Sequence, residues 1–203
     1  MILETVSVGV MDVNCYILAS KEGAKAIIID PGDQERKIQQ VLNKHKLVPG
    51  FIINTHGHYD HIGADDKFSV PIYAHKLEVP LLKEPMLNLS GLFSLPYKVK
   101  SEIKQLEDGD RVTLDDIQLM VIHTPGHTQG GITLLLEKPV DKIAFTGDTL
   151  FCNGIGRSDL SGGDEGVLIR SIKEKLFILP SETKIYPGHG ASSTIGEEKN
   201  NLR

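Results

Sequence analysis

The chain has no tryptophan, and aromatic residues make up only 5% of it. Its core must therefore be built from isoleucine, leucine and valine. It has only two cysteines, Cys15 and Cys152, far apart and in no CxxC pattern. That excludes a disulfide-dense scaffold and makes a reducing cytosol the simpler setting. No apolar run reaches the roughly 18–20 residues of a membrane helix. Residues 1–10 carry no basic segment followed by an apolar stretch, so they read as a strand and not as a signal peptide. Basic residues are scattered and the net charge is -5, which argues against a general affinity for nucleic acid. The expectation is a soluble cytoplasmic protein with neither a nucleic-acid nor a membrane partner.

What remains is ordinary globular composition: 203 residues, 40% hydrophobic and 24% charged. That length suits a single domain spanning residues 1–203. Residues 3–8, 15–19 and 26–29 are short β-rich runs bounded by glycine and proline. Asp33 reads as the N-cap of a helix running through Lys46, with Ile38, Val41 and Leu42 at helical spacing. Further strands are expected at 51–53, 72–74, 111–114, 118–122, 133–137, 142–145 and 184–186. Helices are expected at 77–82 and 167–176. Residues 84–100 read as a long loop or lid. Two β-rich halves with helices in each suggest an α+β fold, with two sheets face to face and helices outside.

Eight histidines stand out in this mildly acidic chain, and most of them follow an apolar strand. His56-Gly57-His58-Tyr59-Asp60-His61 is the densest group, of the form HxHxDH. In an extended segment, residues two apart face the same way, so His56 and His58 can grip one ion together. Asp60 and His61 then face a second ion as the chain turns into a helix. Imidazole and carboxylate suit zinc, iron or manganese. Gly57 is expected to let the backbone pass close to the metal. His127, Asp148 and His189 each follow a strand of their own, and strand ends are rigid posts from which loops can converge.

Together these segments resemble the metallo-β-lactamase superfamily. Asp30 in Ile-Ile-Asp-Pro-Gly matches its first motif, and residues 56–61 match its second. His127 in Thr-Pro-Gly-His-Thr, Asp148 in Thr-Gly-Asp-Thr and His189 in Pro-Gly-His-Gly match the remaining three. The resemblance implies a four-layer αββα sandwich of two mixed β-sheets. It implies two divalent ions, zinc foremost, with iron or manganese also suited. His56, His58 and His127 would hold one ion, Asp60, His61 and His189 the other, and Asp148 would bridge them. Asp30 would position ligands from behind, and Asp60 would orient a metal-bound hydroxide for catalysis. The absence of a second-site cysteine ligand argues against true β-lactamases.

The finer pattern, including Gly154-Ile-Gly-Arg-Ser-Asp, is similar to the glyoxalase II (hydroxyacylglutathione hydrolase) branch. That implies a thioesterase acting on a small-molecule thioester such as S-D-lactoylglutathione. The glutathione-binding C-terminal helical domain of that branch has no counterpart in the chain. A thiolate leaving group suits a site without an obvious proton donor. Two other readings fit the same residues: a mononuclear iron persulfide dioxygenase of the same superfamily, and a non-catalytic metal-binding module.

Arg157 is assigned either to a substrate carboxylate or to a loop-fixing ion pair with Asp159 or Asp164. Cys152 is read as a buried thiol, His45 as a solvated helix-end residue and Tyr59 as a packing residue. His75 is read as structural, and His123 as strand-end packing or support for a ligand. The apolar residues of 86–95 fit a substrate pocket or a homodimer interface.

Overall fold

The computed structural model describes residues 1–94, 96–139 and 142–202. One six-stranded sheet is formed by β1 (Ile2–Val8), β2 (Val13–Ala19), β3 (Lys25–Ile29), β4 (Val48–Ile53), β5 (Ile72–His75) and β6 (Ile103–Leu106), in that spatial order. The second is formed by β7 (Arg111–Leu114), β8 (Ile117–His123), β9 (Ile132–Lys138), β10 (Ile143–Gly147), β13 (Lys184–Pro187) and β14 (Ser193–Thr194). Its order is β14-β13-β10-β9-β8-β7. A small hairpin, β11 (Leu150–Phe151) with β12 (Gly154–Ile155), stands beside it. Both large sheets mix parallel and antiparallel pairs. The αββα expectation holds, and β6 is a strand that sequence reading did not foresee.

Strands buried on both faces explain the apolar runs. In β2 and β3, alternate residues serve different layers. Tyr16, Leu18, Ile27 and Ile29 point between the sheets, where they meet Phe51, Leu119, Leu134 and Phe145. Cys15, Ile17, Ala26 and Ile28 point outward, under Ile38 and Leu42 of helix α1 (Glu35–Lys44). Without tryptophan, the largest fully buried side chain is Phe145, which packs on Tyr16 at 5.0 Å between ring centroids.

Two local expectations need correcting. Asp33 is not the N-cap of α1; Gln34 holds that position at φ 49°, and the Asp33 carboxylate accepts the Gln34 N–H at 2.6 Å. The expected 167–176 helix begins earlier, as α2 (Glu165–Ser171), because Asp164 caps it by accepting the Val167 N–H at 2.9 Å. A wider π-type turn, Ile172–Leu176, continues it.

Direction matters most for the site. β3 and β4 run parallel in one sheet, and β10 and β13 run parallel in the other. β8 also points with β10, because β9 lies antiparallel to both. Five strand ends therefore open at one end of the sandwich. Leu136→Ala, in the inter-sheet core towards the opposite end of β9, should cost about 2–5 kcal/mol. Urea unfolding would measure the loss, with bound metal retained in the folded variant.

Candidate metal centre

Each expected site residue leaves one of those strand ends. Asp30 follows β3, residues 56–61 follow β4, His127 follows β8, Asp148 follows β10 and His189 follows β13. Their side chains meet in three overlapping groups: His56 with His58 and His127; Asp60 with His61 and His189; and His56 with His61 and Asp148. Within each group the ligand atoms lie within 4.8 Å of one another. Asp148 sits between the triads. Its Oδ1 is 3.5 Å from His61 Nε2, and its Oδ2 is 3.6 Å from both His127 Nε2 and His189 Nε2.

Four imidazoles have one ring nitrogen engaged away from the centre. His61 Nδ1 is 3.0 Å from Asp30 Oδ2, His127 Nδ1 is 2.7 Å from the Arg157 carbonyl, and His189 Nδ1 is 3.0 Å from the Met11 carbonyl. Those acceptors fix a proton on Nδ1 and turn Nε2 towards the centre, where His127 Nε2 lies 2.9 Å from His58 Nδ1. His56 Nδ1 lies 3.2 Å from the Thr55 hydroxyl. Asp30 is itself held, accepting the Thr55 N–H at 2.7 Å and the Thr55 hydroxyl at 2.6 Å. It therefore braces His61 from the side away from the other ligands. The His189 loop is stitched to β2, where Asn14 donates to the carbonyls of Pro187 and Gly190 at 3.0 and 2.9 Å. Gly188 is required here: a Cβ would stand 2.2 Å from Asp148 Oδ1.

The donor set fits divalent cations. His56 Nε2, His61 Nε2 and Asp148 Oδ1 are buried and have no hydrogen-bond partner. Each such atom costs about 1–3 kcal/mol unless something fills it. The electrostatics agree. Burial, reinforced by neighbouring imidazoles, holds His56 well below the usual histidine range and takes His58 down to about 3. Burial also lowers His127, against the pull of Asp148. His61 goes the other way: burial opposes its charge, but Asp148, Asp60 and Asp30 outweigh it and raise it to about 10. His189 is raised despite burial by Asp60 and Asp148. Asp60 is lowered despite burial, chiefly by His61 and His189. Burial thus disfavours positive charge on the first triad, while Asp60, Asp148 and Asp30 favour it at the second.

Sequence reasoning missed Glu78. Its carboxylate is fully buried and accepts the Gly57 N–H on one oxygen and the Gly130 N–H on the other, both at 2.7 Å. Burial raises its pKa in spite of those bonds. Gly57 lies between two expected ligands, and Gly130 lies three residues beyond a third. One carboxylate therefore ties together loops from both sheets. The only cue was a lone acid in Leu77-Glu-Val-Pro-Leu-Leu. The reason given for Gly57 also changes: a Cβ there would meet Leu81 Cβ at 2.6 Å, so the close approach is to the Glu78 segment and not to the metal.

Other assignments resolve. Arg157 forms a forked pair with Asp159, with both contacts at 2.8 Å. Cys152 is half-exposed, contrary to the buried thiol expected, because it lies in the exposed turn of the small hairpin. His45 is half-buried and pairs with Glu4 at 2.5 Å, so it is not simply solvated. His75 and His123 stack at 4.2 Å, and His123 Nε2 meets the Gln129 carbonyl at 2.9 Å, within the loop that carries His127. Within the segment expected as a loop or lid, Asn88 donates to the Tyr97 carbonyl at 2.9 Å. Leu95, in the apolar stretch expected at 86–95, lies outside the described residues. Among the described residues, no helix is long and apolar enough to cross a membrane.

The family model described as "Metallo-beta-lactamase superfamily" matches residues 8–189, from before Asp30 through the last expected ligand. The chain belongs to that superfamily. It is 34% identical to the hydroxyacylglutathione hydrolase GloC of Haemophilus influenzae, over 97% of this chain and 94% of the relative. Among solved structures it is similar to the B3 metallo-β-lactamase BLEG-1, with TM-score 0.88, 35% identity and coverage of 98% and 97% of the two chains. It is also similar to TTHA1623 in a di-iron-bound form, with TM-score 0.82, 33% identity and coverage of 98% of each chain.

Glu78→Gln should preserve the fold, but it turns an acceptor into a donor facing a backbone N–H. Metal affinity should fall about 10–100-fold, by analogy with other groups that orient ligands. Chelator competition would measure this, and unchanged affinity would remove the role given to Glu78.

Proposed function

We propose that the protein is a binuclear metal hydrolase acting on acyl thioesters of the hydroxyacyl type. The observation that carries the reading is the pair of ligand triads on either side of Asp148. His56, His58 and His127 would hold one ion, Asp60, His61 and His189 the other, and Asp148 would be shared. Two divalent ions in such a site supply a Lewis acid for the carbonyl and a water activated near neutral pH.

The chain's own groups do the rest. Asp60 Oδ2 lies 3.3 Å from His189 Nε2, and the residue lines the cavity beside the centre. Its carboxylate is held ionised, so it can take a hydrogen bond from the attacking water and orient it. The backbone carbonyls and Asp30 behind the imidazoles keep those rings from rotating. In the overall reaction the carbonyl carbon gains a bond to the water oxygen and the C–S bond breaks. One product is a carboxylic acid, and the thiolate takes up the other proton of water. A thiolate needs little help to leave, which suits a cavity whose acidic side chains are already engaged. The GloC relative supports the thioester reading.

A second reading, β-lactam hydrolysis, is favoured by the likeness to BLEG-1. It uses the same attack on an acyl carbonyl. The persulfide dioxygenase reading needs one ion with open positions; Asp60, His61 and His189 are compatible with it too, and metal stoichiometry with oxygen consumption on a persulfide separates the two. Localisation in the cytoplasm and the choice of zinc over iron or manganese stay part of the proposal.

The test is steady-state hydrolysis of lactoyl thioesters, S-D-lactoylglutathione among them, beside a β-lactam. Turnover should appear with a thioester, vanish on chelation and return with added metal. Asp148→Ala should lose metal and at least 1,000-fold in kcat/KM, roughly the scale of losing a principal electrostatic group. Wild-type turnover retained in that variant would refute the proposal.

A further inference from the structure

A cavity of about 470 Å³ opens directly on the metal centre, reaching Asp60, Asp148 and His189. Its outer wall comes from separate parts of the chain: the turn after β1, the segment ending at Leu92, and Leu160 beyond the small hairpin. The wall is apolar. Val10 is fully exposed, Leu92 is 63% exposed and Met11 48% exposed, and all three face this cavity. Met86 and Leu87 extend the exposed apolar surface along the same segment. Apolar side chains left in water and gathered at the mouth of a reactive site mark a surface that a ligand covers.

The charge pattern is equally selective. Among the described residues, Arg157 is the one guanidinium or ammonium lining the cavity, and its fork is closed on Asp159. The remaining charged wall residue outside the centre is Asp33, a carboxylate. A tripeptide thiol such as glutathione carries two carboxylates and one ammonium. At most one of its carboxylates could be met by a side-chain cation here, and only by drawing Arg157 from Asp159; the other would stay unpaired, which is costly to desolvate.

We infer that the part of the substrate beyond the scissile bond is uncharged and apolar, and seats against Val10, Met11, Leu92 and Leu160. Glutathione is then a poor thiol carrier for this chain, although the thioester chemistry is the same. This rests on the hydrolase reading for its substrate but not for its binding surface. Specificity would lie in the loops of the outer wall, and reactivity in the strand ends beneath them.

The test uses two thiols that offer the centre the same sulfur and differ only in the remainder: phenylmethanethiol and reduced glutathione. Calorimetric titration of the metal-loaded protein should show at least tenfold tighter binding of phenylmethanethiol. Leu92→Lys, at an exposed position, should narrow that ratio at least fivefold by adding a cation and removing an apolar contact. The lactoyl thioesters of the two thiols should follow the same order in kcat/KM. Glutathione binding as tightly as phenylmethanethiol, or a ratio unmoved by Leu92→Lys, would overturn the inference. If the thiol preference holds while neither thioester is hydrolysed, the hydrolase reading falls and the assignment of the cavity stands.

Discussion

Seven imidazole and carboxylate side chains crowd one end of an apolar sandwich, and they cannot be satisfied by one another. That shortage of counter-charge is the constraint on which the rest depends. Buried ring nitrogens and a carboxylate oxygen lack partners, while His61 and His189 are driven towards protonation by the acids around them. Such an arrangement is tolerable in a low-dielectric setting only if cations take the place of protons. The sandwich makes it affordable by fixing the posts. Parallel strands in each sheet deliver their ends to the same edge, and the inter-sheet core holds those strands in register.

Much of this was legible in sequence because the informative residues are local. An apolar run followed by a histidine or aspartate in a glycine-containing turn announces a strand end carrying a site residue, and five such segments occur in order. The sheets were legible for the same reason: β2 and β3 are apolar on both faces, as strands covered on both sides must be. What was not legible depends on distance in the chain. Glu78 looks like one polar residue in a short helix until the fold brings Gly57 and Gly130 to its two oxygens. Arg157 had two credible partners, and only the folded turn shows its fork closed on Asp159. Asp33 carries good N-cap chemistry, yet Gln34 takes the position in a left-handed conformation and the carboxylate is left to bond the next amide.

Reaction and recognition are built from different materials. The centre is held by strand ends, buried hydrogen bonds and close-approach glycines, all of which resist displacement. The wall facing it is made of turns and a short 3₁₀ segment with exposed apolar side chains. Such loops can change without disturbing the ligands below. Such a division is compatible with one superfamily framework that includes both a hydroxyacylglutathione hydrolase and a B3 metallo-β-lactamase.

The central claim is that two cations, and not one, relieve the crowding at the end of the sandwich. Anomalous diffraction from crystals of the metal-loaded protein tests this most directly. Two peaks should appear, one among His56, His58 and His127 and one among Asp60, His61 and His189, with Asp148 between them. A single peak in the fully loaded protein, or peaks away from these residues, would contradict the account.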